Sequence, residues 1–521
     1  MEIRNEIMTK QDFEENLQDR VWRLSHLYWI KDEKGNRIPF RLNKFQKYLI
    51  EHLWFLNIIL KARQLGITTF FCILFLDDVL WLGVDAGFIA HTLDDAKRIF
   101  DNKIRYAWDN LPEEVKSEYS VDANSARELK FTKGKIESSI YVGTSLRSGT
   151  VQRLHISELG TIDQKYPNKA DEIRTGALNT VHKGEMVVIE STAKGQAGSF
   201  FDFCNIALEN KRMKRKLTEL DWKFFFFPWW ENAEYRIKGV QIFPKEMTEY
   251  FLMLEQKHKI VLDEQQRNWY YLKWKTQQDA MRSEYPSTPE EAFFASLEGA
   301  YYGKQMAKAM EQGRIGRVPY DNKLKVDTWW DLGIASKKTD AMSVWFTQDY
   351  GLEIRLIDFY SNSGEGLLHY KKVLDNKEYI YNTHNAPHDI MVKEMGSGKT
   401  RFETAADIGL RFDVVEKLPF SDGISAVRMI LPKCWFDEKN CAKGIRALMS
   451  YRKEWDDNLG KFRDRPLNDW ACDASDAFRM LAVGHKDHIA LGYYDPELEE
   501  LAKIKEADRR QLLDPLDPFA L

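Results

Sequence analysis

Leu56-Asn-Ile-Ile-Leu-Lys61-Ala-Arg63-Gln64-Leu-Gly66-Ile67-Thr68-Thr69 is the stretch that decides the fold. Its first five residues form a short apolar run. Thr69 to Leu82, which follows, is apolar and long enough for a helix. Strand, tight loop and helix are the setting of a phosphate-binding loop, G-x-x-x-x-G-K-[S/T]. In that loop backbone N–H groups cradle phosphates, a lysine reaches the outer ones and a hydroxyl holds Mg²⁺. Gly66 and Thr68 fall in place, but Ile67 stands at the lysine position and Lys61 at the first glycine. A nucleotide site here needs its lysine at the front of the loop.

Around this stretch the composition is that of a folded chain too long for one domain: 521 residues, 44% hydrophobic and 30% charged. Sixteen Trp, 22 Tyr and 30 Phe supply bulky core material. A net charge of −4 gives no global basic signal, so any nucleic-acid surface must be local. The five cysteines form no C-x-x-C pair, so neither a zinc site nor a disulfide framework is expected. Met1-Glu-Ile-Arg-Asn-Glu is too polar for a signal peptide. The longest apolar stretch, Phe70 to Ala90, carries Asp77, Asp78 and Asp85 and reads as buried helix and strand, not a membrane span.

Further apolar runs at Gly87 to Ala90, Ser139 to Val142, Leu154 to Ile156 and Met186 to Ile189 alternate with helical stretches, which indicates a parallel α/β sheet. The aromatic run Asp221 to Trp230 reads as a core strand and edge. The basic cluster Lys211-Arg-Met-Lys-Arg-Lys216 reads as a solvated helix face. Gly299 to Asp327 has the composition of a connector, and a second α/β unit starts at Asp327-Thr-Trp-Trp-Asp331. The expected organisation is a first α/β domain over 1–310 with a lid-like subdomain around 205–300, a linker over 311–325, a second α/β domain over 326–490 and a tail over 491–521.

Two segments strengthen the nucleotide reading. Gln152-Arg-Leu-His-Ile-Ser157-Glu158 is a hydrophobic strand ending where a Walker B pair would stand. There an aspartate helps hold Mg²⁺ and a glutamate polarises water; here Ser157 takes the first place and Glu158 the second. Met186-Val-Val-Ile-Glu-Ser191-Thr192-Ala193 is a strand ending in small hydroxyl residues able to sense a γ-phosphate. Upstream, Gln46 offers an amide suited to the edge of adenine.

In the second unit acids sit at apolar strand ends: Asp331, Asp389 and the pair Asp473 and Asp476, which share a helical face. Three carboxylates brought together can hold two Mg²⁺ or Mn²⁺ ions about 4 Å apart for in-line phosphodiester hydrolysis. Without metal or protonation such a cluster would repel itself.

Taken in order, Gln46, the loop at 61–69, Glu158, Ser191-Thr-Ala, Glu284-Tyr-Pro-Ser-Thr-Pro and Asp473-Ala-Ser-Asp476-Ala-Phe-Arg, the chain resembles the large terminase subunit of tailed double-stranded DNA bacteriophages over roughly Asn43 to Gly484. The resemblance implies an N-terminal P-loop (ASCE-type) ATPase with a parallel sheet, followed by an RNase H-like α/β nuclease domain. It implies that Gln46 contacts adenine and that Lys61, Arg63, Gln64, Gly66, Thr68 and Thr69 form a variant Walker A loop. Lys61 would be its lysine, Arg63 would stabilise γ-phosphate charge and Thr68 would bind Mg²⁺. Glu158 would be the catalytic glutamate beside Ser157, and Ser191 and Thr192 would couple hydrolysis to movement. Asp331, Asp389 and Asp476 would be the nuclease metal ligands and Asp473 a fourth candidate. Ile67 and Ser157 depart from the family's usual pattern.

The activity so implied is ATP-driven translocation of double-stranded DNA into a procapsid, with endonuclease cutting at the start and end of packaging. The implied cofactors are ATP with Mg²⁺ and, at the nuclease, two Mg²⁺ or Mn²⁺. The implied partners are DNA, a small terminase subunit and the portal, on which the chain forms a homo-pentamer from a monomer in solution. The implied place is the bacterial host cytoplasm and, transiently, the portal; it is not in the mature virion, and no membrane is involved. Two other readings fit parts of the pattern: a helicase–nuclease of recombination or repair, and an assembly protein with a degenerate ATPase, for which Ile67 and Ser157 speak.

Overall fold

The structure, a computed structural model, describes residues 2–3, 6–7, 9–145, 150–239, 241–294, 299–333, 341–393, 398–456 and 461–485. The tail expected over 491–521 lies outside them. The chain divides into two compact units, Met1–Ala295 and Ser296–Leu521.

In the first unit the main sheet has eight strands. In chain order they are β1 (Leu56–Lys61), β2 (Ala86–Ile89), β3 (Ser120–Asn124), β4 (Glu128–Lys133), β5 (Ile136–Gly143), β6 (Arg153–Ser157), β7 (Met186–Ser191) and β8 (Trp222–Phe227). They lie side by side as β8-β1-β7-β6-β2-β5-β4-β3, parallel from β8 to β5 and antiparallel through β4 and β3. The strand after the loop candidate's strand is therefore not its neighbour. β7 is inserted between β1 and β6, so the loop strand and the Walker B-like strand flank an additional one.

The helix α1 (Lys44–His52) precedes β1, and α2 (Ile67–Leu82) follows the loop. Apolar all round, α2 is buried along almost its whole length, as a helix lacking a polar face must be. It ends at Gly83 in the left-handed conformation that glycine adopts at low cost. The acids that interrupt its apolar run are paired: Asp77 with Arg23 at 2.7 Å, and Asp78 with Arg20 and Arg153 at 2.5 and 2.6 Å. Among the described residues no helix is long and apolar enough to cross a membrane. The aromatic run supplies β8, and the basic residues 211–216 that precede it are exposed.

In the second unit the main sheet is formed by β9 (Ile315–Gly316), β10 (Val326–Asp331), β11 (Ala341–Asp349), β12 (Ile354–Ser363), β13 (Tyr381–Ala386), β14 (Asp413–Val414) and β15 (Cys434–Asp437), ordered β9-β15-β12-β11-β10-β13-β14. β10, β11 and β12 make an antiparallel meander, and β13 and β14 add in parallel beyond β10. Counting from β10, the order is 3-2-1-4-5, the RNase H-like arrangement. The helix Gly303–Glu311 and β9 fall within this unit, and β9 pairs with β15, so residues 303–316 are built into its structure. The helix Cys472–Gly484 packs against β10 and β11.

Candidate functional site

β1, β7 and β6 are parallel neighbours, so their C-terminal ends deliver Lys61, Glu190 with Ser191, and Ser157 with Glu158 to one place. Lys61 is 6% exposed and Glu190 is fully buried. Lys61 Nζ stands 3.0 Å from Glu190 Oε2 and 3.2 Å from Glu158 Oε1. The hydroxyls of Thr68 and Ser157 both donate to Glu190 Oε1, at 2.7 and 2.9 Å. Burial works against the Lys61 charge, yet Glu190 and Glu158 outweigh it and raise its pKa. Burial likewise works against the Glu190 charge, but Lys61 and the hydrogen bond from Thr68 are among the groups that together outweigh it, holding the carboxyl below its usual range. The buried His155 ring lies 3.7 Å from Glu190, and its own desolvation lowers its pKa to about 4, so it is neutral near pH 7.

Glu158 adopts a left-handed backbone at φ 58°, a strained setting for a non-glycine residue and a frequent one at working sites. Its N–H donates to the Glu190 carbonyl at 2.7 Å. Its Oε2 lies 3.4 Å from Ser191 Oγ, which donates to the Thr192 carbonyl at 2.7 Å and accepts from Gly160 N–H at 3.1 Å.

The loop itself is braced from behind. Asn43 Nδ2 donates to the Leu65 carbonyl at 3.1 Å, and Gln46 Nε2 donates to the Gly66 carbonyl at 3.0 Å. Gln46 Oε1 accepts from Asn43 N–H, closing a capping box on α1. The amide expected to read adenine is thus already used at both ends. Gly66 has φ 71°, and a Cβ there would meet Gln46 Nε2 at 3.0 Å. The N–H groups of Gln64, Gly66, Ile67 and Thr68 find no hydrogen-bond partner among the described residues. Free N–H groups leading into a 16-residue helix form an anion cradle. That cradle, with Glu190 Oε2 buried and without a hydrogen bond, fits a magnesium nucleotide.

Two loop residues are engaged elsewhere. Thr69 Oγ1 accepts from Lys103 Nζ at 2.9 Å. The Arg63 guanidinium pairs with buried Glu284, which also holds Lys194, just past Ser191-Thr192-Ala193. Thr192 is fully buried, and its hydroxyl has no partner among the described residues. Glu284 and Glu190 are the residues that sequence reading misses. The available signal is a charged residue within, or just before, an otherwise apolar or small-residue string.

In the second unit Asp331 ends β10, and Asp389 lies in the short turn after the parallel strand β13, so both stand at one end of the sheet. Asp473 reaches the same end: its Oδ2 accepts from Ala341 N–H at 2.8 Å, two residues along β11 from Ser343, the partner of Asp331. Asp476, one turn later, is bonded instead to Arg479 at 3.1 Å and to the Tyr451 hydroxyl at 3.4 Å. Among the described residues no three His, Cys, Asp or Glu side chains stand close enough together to hold a metal ion. The structure therefore does not gather Asp331, Asp389 and Asp476 into the expected cluster.

A P-loop core with an additional strand and a strand-end glutamate, followed by an RNase H-like unit, is the class these features define. No family model and no curated protein matches the chain. Solved structures that it is similar to are those of phage large terminases. That of bacteriophage HK97 is 13% identical, over 92% of this chain and 100% of that one, with a TM-score of 0.43. That of the thermophilic bacteriophage D6E in complex with ADP is 13% identical, over 82% and 94%, with a TM-score of 0.27. The nuclease domain of the P22 large terminase is 16% identical, over 33% and 88%, with a TM-score of 0.25.

Proposed function

We propose that this chain is a DNA-packaging motor of the large-terminase type, hydrolysing ATP to move double-stranded DNA into a procapsid and cutting that DNA with its second unit. The observation that carries the reading is the cluster of Lys61, Glu158 and Glu190 beside a loop whose Gln64, Gly66, Ile67 and Thr68 N–H groups are free among the described residues. Magnesium bound with the nucleotide would neutralise phosphate charge; Thr68, with its hydroxyl at the start of α2, is the loop's hydroxyl ligand. The chain's own groups do the rest. Without nucleotide, Lys61 is shared by Glu158 and Glu190. Triphosphate in the cradle is the stronger attractor, so Lys61 turns to it and Glu158 is released to orient water. Ser191, whose hydroxyl lies 3.4 Å from Glu158 and donates to the Thr192 carbonyl, registers the change and passes it along the end of β7 to Thr192 and Lys194. The partners in this reading are DNA, a small terminase subunit and the portal, where five copies form a ring in the host cytoplasm.

The cutting activity is assigned to the end of the second sheet that carries Asp331, Asp389 and Asp473, with no particular ion. The test of the whole reading is DNA-stimulated ATP turnover by the full chain. It should be present in the wild type and absent in Glu158→Ala. Turnover that survives the substitution, or a wild type with none, overturns it; the latter result would favour a degenerate ATPase.

A further inference from the structure

Ser157 occupies the place where a Walker B strand would carry the carboxylate that helps hold magnesium. A hydroxyl is a poor substitute for that charge. The structure shows where a charge could come from. Glu190 sits one strand over, on β7, fully buried. Its Oε1 takes the hydroxyls of Thr68, the loop's magnesium residue, and of Ser157 itself. Its Oε2 has no hydrogen bond and faces Lys61 only through the ion pair at 3.0 Å. A carboxylate in this position is costly unless it is balanced by charge in every state of the site. Lys61 balances it when the site is empty. When Lys61 leaves for the phosphates, a second cation must take its place.

We propose that Glu190, carried on the inserted strand, supplies the carboxylate that Ser157 lacks and helps hold the magnesium of the bound nucleotide. The inference rests on the nucleotide-binding reading above. It needs no cage of three acids, because magnesium in nucleotide sites takes most of its ligands from phosphates and water and only one or two from carboxylates. Ser157 then acts as a positioning residue, fixing one oxygen of Glu190.

The test is calorimetric titration of the full chain with ADP, with and without Mg²⁺, reading the ratio of the two dissociation constants. The wild type should bind ADP more tightly with Mg²⁺. In Glu190→Gln the Mg²⁺ concentration needed for that gain should rise roughly 10- to 100-fold. In Glu190→Gln/Ser157→Asp, which returns a carboxylate to β6, the Mg²⁺ response should come back. A Glu190→Gln protein with the wild-type Mg²⁺ response, or a double variant that binds ADP yet ignores Mg²⁺, overturns the inference and leaves the nucleotide-binding reading standing. A wild type that binds no ADP under either condition overturns both. If Glu190→Gln does not fold, Glu190→Asp keeps the charge beside Lys61 and withdraws it by one methylene. Its Mg²⁺ midpoint should rise several-fold, and an unchanged midpoint overturns the inference.

Discussion

Two groups of acids sit at sheet ends in the two units, and they are held differently. Glu158 and Glu190 are drawn together by one lysine, within 3.2 and 3.0 Å of its nitrogen. Asp331, Asp389 and Asp473 share a sheet end but form no metal-holding group among the described residues. Charge compensation accounts for the tightness of the first group. Carboxylates repel when they approach without a cation, and the repulsion grows as water is removed. The first site carries its counter-charge within the chain. The second has its acids on three elements around one end of a sheet.

The largest effect should come from removing the charge of the acid proposed to orient water while keeping its shape. Glu158→Gln should lower ATP turnover by about 10²- to 10⁴-fold, the usual worth of a general base, with ADP binding retained. Turnover within tenfold of wild type would mean that the first site is not the hydrolytic one. Next, Lys61→Met strips the first site of its counter-charge. Lys61 and Glu190 are both buried, so loss of one partner should destabilise the fold by about 3–5 kcal/mol in thermal or urea unfolding. Adding Glu190→Gln to Lys61→Met should recover most of that loss. If the single variant is as stable as wild type, compensation by Lys61 is not what holds the first site together.

The second unit should respond the other way round. Asp331→Ala should abolish plasmid cleavage and leave ATP turnover intact. Its stability cost should be smaller than that of Lys61→Met, roughly 1 kcal/mol, because Asp331 is only half-buried. Asp473 and Asp476 sharpen the contrast further. Asp473→Asn should impair cleavage more than Asp476→Asn, since Asp476 is occupied by Arg479 and Tyr451. A cleavage defect confined to Asp476→Asn would return that residue to the role that family resemblance gives it.

The same contrast bears on how much of the molecule is legible in its sequence. Strand, loop and helix over 56–82 are local features, and apolar runs with glycine at their ends specify them directly. Glu158 is legible because a charge at the end of an apolar strand breaks that strand's pattern. Glu190 is not, although it stands beside Ser191. Its meaning depends on β7 lying between β1 and β6, a long-range order that no local pattern encodes. The hairpin of β3 and β4 escapes sequence reading for want of an apolar run. The connector expected up to Asp327 contains the helix Gly303–Glu311 and β9, whose pairing with β15 joins residues far apart in the chain. In the last helix, spacing places Asp473 and Asp476 within one turn of each other, but it cannot show that neighbours from other elements claim the second.

The smallest effect expected is at Gln46, and it separates two roles that sequence alone merges. The resemblance makes this residue a reader of adenine, while the structure shows it bracing the loop through Gly66 and capping α1 through Asn43. Bracing acts on the cradle, which touches phosphates common to all nucleotides, whereas reading acts on the base. Gln46→Ala should cost about 1 kcal/mol of stability, the usual worth of a capping interaction. If bracing dominates, the variant should weaken ADP and GDP by the same factor, because a looser loop holds both phosphate chains less well. If reading dominates, the preference for ADP over GDP should collapse while GDP binding changes little. Equal weakening would show that the first site is pre-organised in its backbone as well as in its charges; loss of preference would confine the pre-organisation to Lys61 and the two glutamates.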